Sequence, residues 1–471
     1  MISQVDRLAA ADAAPVFSVP TALAGLALSM LLSSVSTSIA NVSLPTLVQA
    51  FGASFQQVQW VVLAYLLAIT TLIISAGRLG DIVGRKRLLI AGLGLFTVAS
   101  TASSVAPTLL FLIAARAVQG VGAAVMMALT MAFVADTASK EKIGSAMGLL
   151  GATSAVGTAL GPSVGGLLIA SFGWPSIFLI NLPLGLLTMV LAWRGLPTDR
   201  AVKVTTRFDV IGTLVLVATL GTYALAMTTG RGEFGAVNLA LVSMAIVGAG
   251  VFAFSQSRVG SPLIQMSMLH DAKLRSNLGS ALLVSTVMMA TLVVGPFYLS
   301  QALALDPATV GLVMSVGPLV AALAGLPAGR MVDRFGARPM IVTGLSGVAA
   351  SCFILAMMPQ TFGILGYVLP LAGITACYAL FQAANNTAVM MDVALDRRGV
   401  MSAMLNLSRN LGLVTGAAVM GAVFAQATAA PEIMAAASQA VATGMRVTFL
   451  LAAALIAGAL VLALRGGRGA G

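Results

Sequence analysis

Arg116 and Gln119 stand three residues apart inside the apolar run LLFLIAARAVQGVGAAVMMALT, which begins at Leu109. A guanidinium is no acid or base at useful pH, since it stays protonated above about pH 12. It can hold a polar partner or face an anion, and it must do one of these. A charge at the centre of a membrane helix costs at least about 2.5–3.5 kcal/mol. Upstream, Ser33 to Pro45 read SSVSTSIANVSLP, a collection of hydroxyls and one amide with no carboxylate. Hydroxyls so placed bond their own helix or a polar cavity. Arg409 is the second arginine within an apolar run and reads as structural, close enough to a span end to snorkel. All 14 acidic residues, Asp81, Asp136, Asp333 and Asp392 among them, fall in loops, tails or span ends. Enzymatic chemistry has no footing. The sole histidine, His270, lies in a loop, and Cys352 and Cys377 sit in separate apolar runs without metal-ligand spacing. No nucleotide loop or nucleophile–base pair stands out, so neither a cofactor nor an enzyme is expected.

The elements that carry these residues are membrane helices. The chain is 59% hydrophobic and 8% charged, with a mean hydropathy of +1.03, against about 25% charge in a soluble domain. A span needs about 20 mostly apolar residues. Such runs are predicted near 19–43, 57–77, 88–106, 109–135, 143–171, 175–194, 209–229, 236–255, 276–301, 309–328, 339–357, 364–390, 400–426 and 445–464. That makes an all-α integral membrane protein of fourteen helices. With both termini inside, the inner segments collect 21 of the 25 basic residues, which is the expected positive-inside bias. The net charge of +11 then reflects topology and anionic lipid rather than nucleic-acid binding. Methionine pairs such as Met126-Met127 and Met288-Met289 read as adaptable packing, not soft-metal ligands.

The segment after the second span reads Gly77-Arg78-Leu79-Gly80-Asp81-Ile82-Val83-Gly84-Arg85, and the one after the tenth reads Gly329-Arg330-Met331-Val332-Asp333-Arg334-Phe335-Gly336. Both are predicted as loops in which glycine permits a tight turn and the Asp caps a helix N-terminus or pairs with a base. Two copies at matching places in two six-helix halves argue for duplication.

On these residues the chain resembles the major facilitator superfamily, and within it the fourteen-span drug:proton antiporters. GRLGDIVGRKR resembles the superfamily's loop motif, and RAVQGVG, from Arg116 to Gly122, is similar to its fourth-span motif. Gly148, Gly157, Gly161, Pro162, Gly165 and Gly166 match the fifth-span antiporter motif, while WPSIFLINLPLG and Asn406-Leu407-Ser408-Arg409 with Gly412 resemble two further signatures. The resemblance implies two six-helix bundles plus two extra central helices. The corresponding division is a tail at 1–18, a first bundle at 19–194, linkers with the extra pair at 195–275, a second bundle at 276–464 and a tail at 465–471. It implies a cytoplasmic gate at Gly77, Asp81, Gly84, Arg85 and Asp333, and a glycine face that seals the outer half. It also places the family's first-span acid at Ser36, ahead of the Asn41-Val42-Ser43-Leu44-Pro45 end.

The expected function is secondary active export of small amphipathic or drug-like compounds from a bacterial inner membrane by alternating access, as an antiporter. Arg116, Gln119, Ser36 and Asn41 are the expected substrate or coupling residues. With serine in place of the acid, protons stay an open candidate for the coupling ion. The alternative is export of a neutral or anionic metabolite with Arg116 as counter-charge. A reading of another class is a channel or a non-transporting sensor. The expected partners are a small-molecule substrate and lipid, with no nucleic acid, for a monomer.

Overall fold

The computed structural model describes residues 19–137, 143–197, 199, 209–229, 235–259, 271–390, 398–429 and 436–466. In chain order the first half comprises α1 (Val19–Val42), the short α2 (Leu44–Phe51), α3 (Phe55–Val83), α4 (Arg85–Ser104), α5 (Leu109–Thr137), α6 (Ile143–Phe172), α7 (Ser176–Leu179) and α8 (Asn181–Gly195). A hairpin follows, α9 (Val210–Thr228) and α10 (Ala236–Arg258). The second half holds α11 (Ala272–Phe297), α12 (Pro307–Phe335), α13 (Ala337–Met357), α14 (Gly363–Met390), α15 (Arg398–Thr415), α16 (Gly421–Thr428) and α17 (Ser438–Gly466). Among the described residues, 13 helical stretches are long and apolar enough to cross a membrane, and α6 adds the described apolar segment Val156–Phe172. Lipid cannot satisfy backbone groups, so spanning segments must close their hydrogen bonds internally, as these helices do.

The helices overrun the apolar windows. Gly77 to Val83 continue α3, and only Gly84, at φ +109°, leaves it; likewise Gly329 to Phe335 finish α12, and Gly336 breaks it at φ +84°. The two repeated motifs are therefore helix ends rather than loops. Once begun, a helix adds one backbone bond for each residue fixed, so it runs on into interfacial water until a left-handed residue stops it. The helix Leu44–Phe51 was not anticipated. Pro45 opens it, where a missing N–H costs nothing, and Gly52, left-handed at φ +57°, closes it.

Successive helices run in opposite directions, which defines two poles. Residues 43–55, 297–307, 424–429 and 436–438 lie at one, here called the Gly52 pole. Residues 83–85, 196–197, 199, 209–210 and 335–337 lie at the other, the Gly84 pole. The hairpin is fastened along α3 near both poles. The Trp60 indole N–H donates to the Thr228 hydroxyl (3.0 Å), and Ser75 and Thr213 share a hydroxyl bond of 2.8 Å. Between these points, Leu216, Leu220 and Phe252 pack on Leu67 of α3 and Leu411 of α15, so the extra pair touches both halves. Its outer face, with Leu239, Ile246, Val247 and Phe254, stays exposed, as a lipid-facing surface should.

Candidate functional site

Arg116 lies fully buried in the first bundle. Its Nε donates to the Val61 carbonyl (3.0 Å), Nη1 to Gln119 Oε1 (2.5 Å) and Nη2 to the Ser36 carbonyl (3.3 Å). The guanidinium also stacks 4.0 Å above the Tyr65 ring, with Phe178 at 5.8 Å. Arg116, Gln119 three residues along the same helix and Ser36 of a neighbouring helix thus meet, the last through its backbone carbonyl. Gln119 reaches back through Nε2 to the Ser36 hydroxyl (3.4 Å) and to that of Ser100. Asn181 donates to the same Ser100 oxygen at 3.1 Å, and Tyr65 donates its hydroxyl to the Ser33 carbonyl at 3.0 Å. A fixed cation therefore ties α1, α3 and α5 together through dipoles alone. This arrangement suits a charge in hydrocarbon, where polar groups need partners.

Asn41 is not brought into this cluster. Its Nδ2 donates to the Thr37 carbonyl (2.9 Å), and its buried Oδ1 has no hydrogen-bond partner among the described residues. The other hydroxyls of the first span mostly bond their own helix, as Ser29, Ser33, Thr37 and Ser43 do. Ser34 instead meets Ser154 of α6 at 2.7 Å. Tyr65, Ser100 and Asn181 went unrecognised in the sequence. Asn181 lies in the sixth-span signature, which was a usable signal; Ser100, one serine among apolar and small neighbours, offered none.

The glycines of α6 divide their work between two neighbours. Gly157 and Gly161 face α1. A Cβ on Gly157 would come within 2.8 Å of the Leu31 carbonyl, and one on Gly161 would strike the Ser38 hydroxyl. Gly165 meets Ile39 and Val42 on the same face. Gly166 looks the other way, across the seam between the halves, where a Cβ would collide with the Pro307 carbonyl and approach the Gly311 Cα to 3.0 Å. Gly311 in turn leaves no room beside the Pro162 carbonyl. Pro162 sits inside the helix, where it removes a backbone donor. Gly148 belongs to the same helix, and its surroundings are outside the described residues.

This seam is part of a seal at the Gly52 pole. Phe55 of the first half packs edge-on against Phe297 (4.7 Å between ring centroids) and Phe424 (5.8 Å) of the second. Gln59 Nε2 donates to the Ala417 carbonyl (2.9 Å) within the π-helical turn Gly416–Met420. Such turns break the i−4 pattern and recur at functional places. At the opposite pole, a Cβ on Gly77, Gly325 or Gly329 would meet nothing within 4 Å.

The expected gate residues lie at that Gly84 pole. Asp81 occupies the last turn of α3, and its side chain is outside the described residues, as are the side chain of Asp136 and all of Asp392. Asp333 is in the last turn of α12 and exposed, so it does not cap the next helix. The carboxylate that does cap is Asp199, which accepts from the backbone N–H of Lys86 (2.8 Å) and of Arg87 (3.1 Å) at the start of α4. Lys86 Nζ donates to the Leu196 carbonyl at 2.6 Å. Gly84 is needed twice over, for its positive φ and because a Cβ there would press into the Asp199 carboxylate. Nearby, Asp209 caps α9 through the Gly212 N–H (2.8 Å) and accepts from Gln256 Nε2 (2.7 Å), with its charge felt by Arg78 of the motif. Losing a helix cap costs about 0.5–2 kcal/mol. Asp199→Ala should therefore lower the melting temperature of the purified protein by a few degrees, with Asp199→Asn intermediate. Unchanged melting in Asp199→Ala would show that the cap contributes nothing.

The sequence profile of the Major Facilitator Superfamily matches residues 26–272 and 277–468. The chain is 30% identical to the riboflavin transporter RibZ of Clostridioides difficile over 85% of its length and 87% of that protein's. It is also 30% identical to the multidrug resistance protein Stp of Mycobacterium tuberculosis, over 82% of this chain and 72% of that one. Among solved structures, a bacterial homologue of the human lysosomal transporter Spinster, in an inward-facing and unoccupied conformation, superposes with a TM-score of 0.70 at 14% identity, covering 96% of this chain and 98% of the other. The profile matched in two parts over nearly the whole chain, the two helical halves and the shared fold lead to one assignment: this multi-pass membrane protein is a transporter that belongs to the major facilitator superfamily.

Proposed function

We propose that the protein is a secondary active exporter of small amphipathic compounds, an antiporter that works by alternating access in a bacterial inner membrane. The observation that carries this reading is the seal at the Gly52 pole, made of backbone-close glycine contacts between α6 and α12 and one aromatic cluster. Such contacts can be broken and remade without unfolding either bundle, which is what rocking of two halves requires. The basic residues gathered at the Gly84 pole support a cytoplasmic placement of that pole, and in this reading the sealed pole faces out and cargo loads from inside. In this reading α6 completes a set of fourteen spans, both termini are cytoplasmic, and the monomer works with cargo and lipid as its partners. The resistance function in the name of Stp supports drug-like cargo.

A second reading, export of a neutral or anionic metabolite with weak or no proton coupling, is favoured by Ser36. The acid of proton-coupled relatives is a hydroxyl here, and the Arg116 charge beside it is held by neutral acceptors. The riboflavin named for RibZ fits such cargo.

Flux in proteoliposomes tests both, with ethidium and riboflavin as probes. Trapped unlabelled probe should stimulate entry of labelled probe; a channel gives no exchange stimulation, and its absence for every probe would reject a carrier. An imposed pH step with voltage clamped should stimulate the wild type only weakly, and Ser36→Asp should respond more strongly or shift preference toward ethidium. Strong wild-type stimulation, lost in Asp136→Asn or Asp392→Asn, would instead identify ordinary drug:proton antiport through a displaced acid.

A further inference from the structure

The second bundle holds a polar cavity of about 150 Å³ between α11, α14 and α15, in the half nearer the Gly84 pole. Its lining is unusual for a membrane interior. Arg409 and four carboxamides, Gln382, Asn385, Asn386 and Asn406, stand around it, with Tyr378 and Phe381 supplying aromatic faces. Among the described residues no carboxylate lines it. Asn385 is 2% exposed, yet its Oδ1 has no hydrogen-bond partner among the described residues. A buried amide oxygen left so is uncommon in proteins.

Arg116 and Arg409 therefore differ in kind. Arg116 is enclosed by three acceptors and an aromatic ring, and its charge is already satisfied within the first bundle. Arg409 is only partly buried, at the edge of a cavity whose other polar groups are neutral. A planar guanidinium matches a carboxylate with two parallel hydrogen bonds. Asn385 Oδ1 has almost no accessible surface, so it is not offered to a ligand in the cavity. Aromatic faces favour a flat ring packed against them. The volume is below the roughly 300 Å³ at which whole-ligand pockets begin, so it takes one ring and its substituents rather than an entire drug-sized molecule.

We propose that this cavity is a cargo subsite that recognises an aromatic ring bearing an anionic group. Arg409 pairs with the anion, and the remainder of a larger cargo lies outside the cavity. The inference rests on the transport reading and moves the counter-charge for an anion from Arg116 to Arg409.

Binding to the purified full-length protein in detergent tests it, with 2-aminobenzoate as a fluorescent probe and 2-aminobenzamide as its uncharged counterpart. The wild type should bind 2-aminobenzoate at least tenfold more tightly than 2-aminobenzamide. Arg409→Gln should erase that preference, and Arg409→Lys, which keeps the charge, should retain part of it. A charge preference lost in Arg409→Gln and partly kept in Arg409→Lys is an effect that a folding defect would not produce. Charge-blind binding by the wild type, no binding of 2-aminobenzoate, or an unaltered preference in Arg409→Gln would each overturn the subsite. Binding needs no flux, so the two readings fail separately. Charge-selective binding in a protein without exchange stimulation would reject transport alone, and exchange with charge-blind binding would reject the subsite alone.

Discussion

Arg116→Ala is expected to abolish exchange in proteoliposomes, and Arg116→Lys to keep a part of it. The guanidinium reaches the Val61 and Ser36 carbonyls and Gln119 Oε1 from one side chain, so it spans three helices at once. The two carbonyls also serve their own helices, but the Gln119 oxygen would be left buried and unpaired, at about 1–3 kcal/mol. Loss of the stack on Tyr65 adds to that. Lysine restores a point charge but not the fork, and a single ammonium cannot reach three acceptors with the same geometry. Melting of Arg116→Ala should therefore fall as well. Wild-type exchange with unchanged melting in Arg116→Ala would reject any role for the cluster, while lowered melting with exchange intact would assign it to stability alone.

Gly166→Leu should reduce exchange at least severalfold without preventing insertion. The side chain would enter the seam where the Pro307 carbonyl and the Gly311 Cα leave no space. Overpacking costs about 1–3 kcal/mol. Here the cost falls on the state in which the Gly52 pole is sealed, since opening that pole separates α6 from α12. A bias of that size displaces a two-state equilibrium about 5–150-fold. Gly161→Leu makes the contrast, because its obstacle, Ser38 of α1, belongs to the same half and stays in place in either state. It should lower melting and abundance, with exchange per inserted molecule falling less than in Gly166→Leu. Full activity of Gly166→Leu would mean that the seam is not part of the transport cycle.

Much of this was legible in linear form because hydrocarbon is an undemanding reader of sequence. Span existence depends on the sum of side-chain transfer energies over about 20 residues, and that sum needs no knowledge of neighbours. The i, i+3 spacing of Arg116 and Gln119 is likewise a property of one helix, and the structure joins them. Gly157, Gly161 and Gly165 stand four residues apart, which puts them on one helix face, and that face lies against α1. Helix ends were less legible. Apolar windows stop where lipid stops, whereas α3 and α12 continue to the first left-handed glycine.

Composition and local spacing by themselves determined a many-spanning helical protein, built as two related halves, with a buried arginine in need of partners. Which groups answer that need is a long-range matter. Asp199 caps a helix that begins more than a hundred residues before it, and Ser100 and Asn181 join Gln119 from separate spans. Neighbouring glycines one residue apart, Gly165 and Gly166, face different partners because a helix turns about 100° per residue. Only tertiary packing therefore decided that one glycine holds a bundle together and the other seals two bundles against each other. The same holds for Arg409. Read along the chain it is a charge near a span end, and it becomes the rim of a polar cavity only when α11, α14 and α15 are brought side by side.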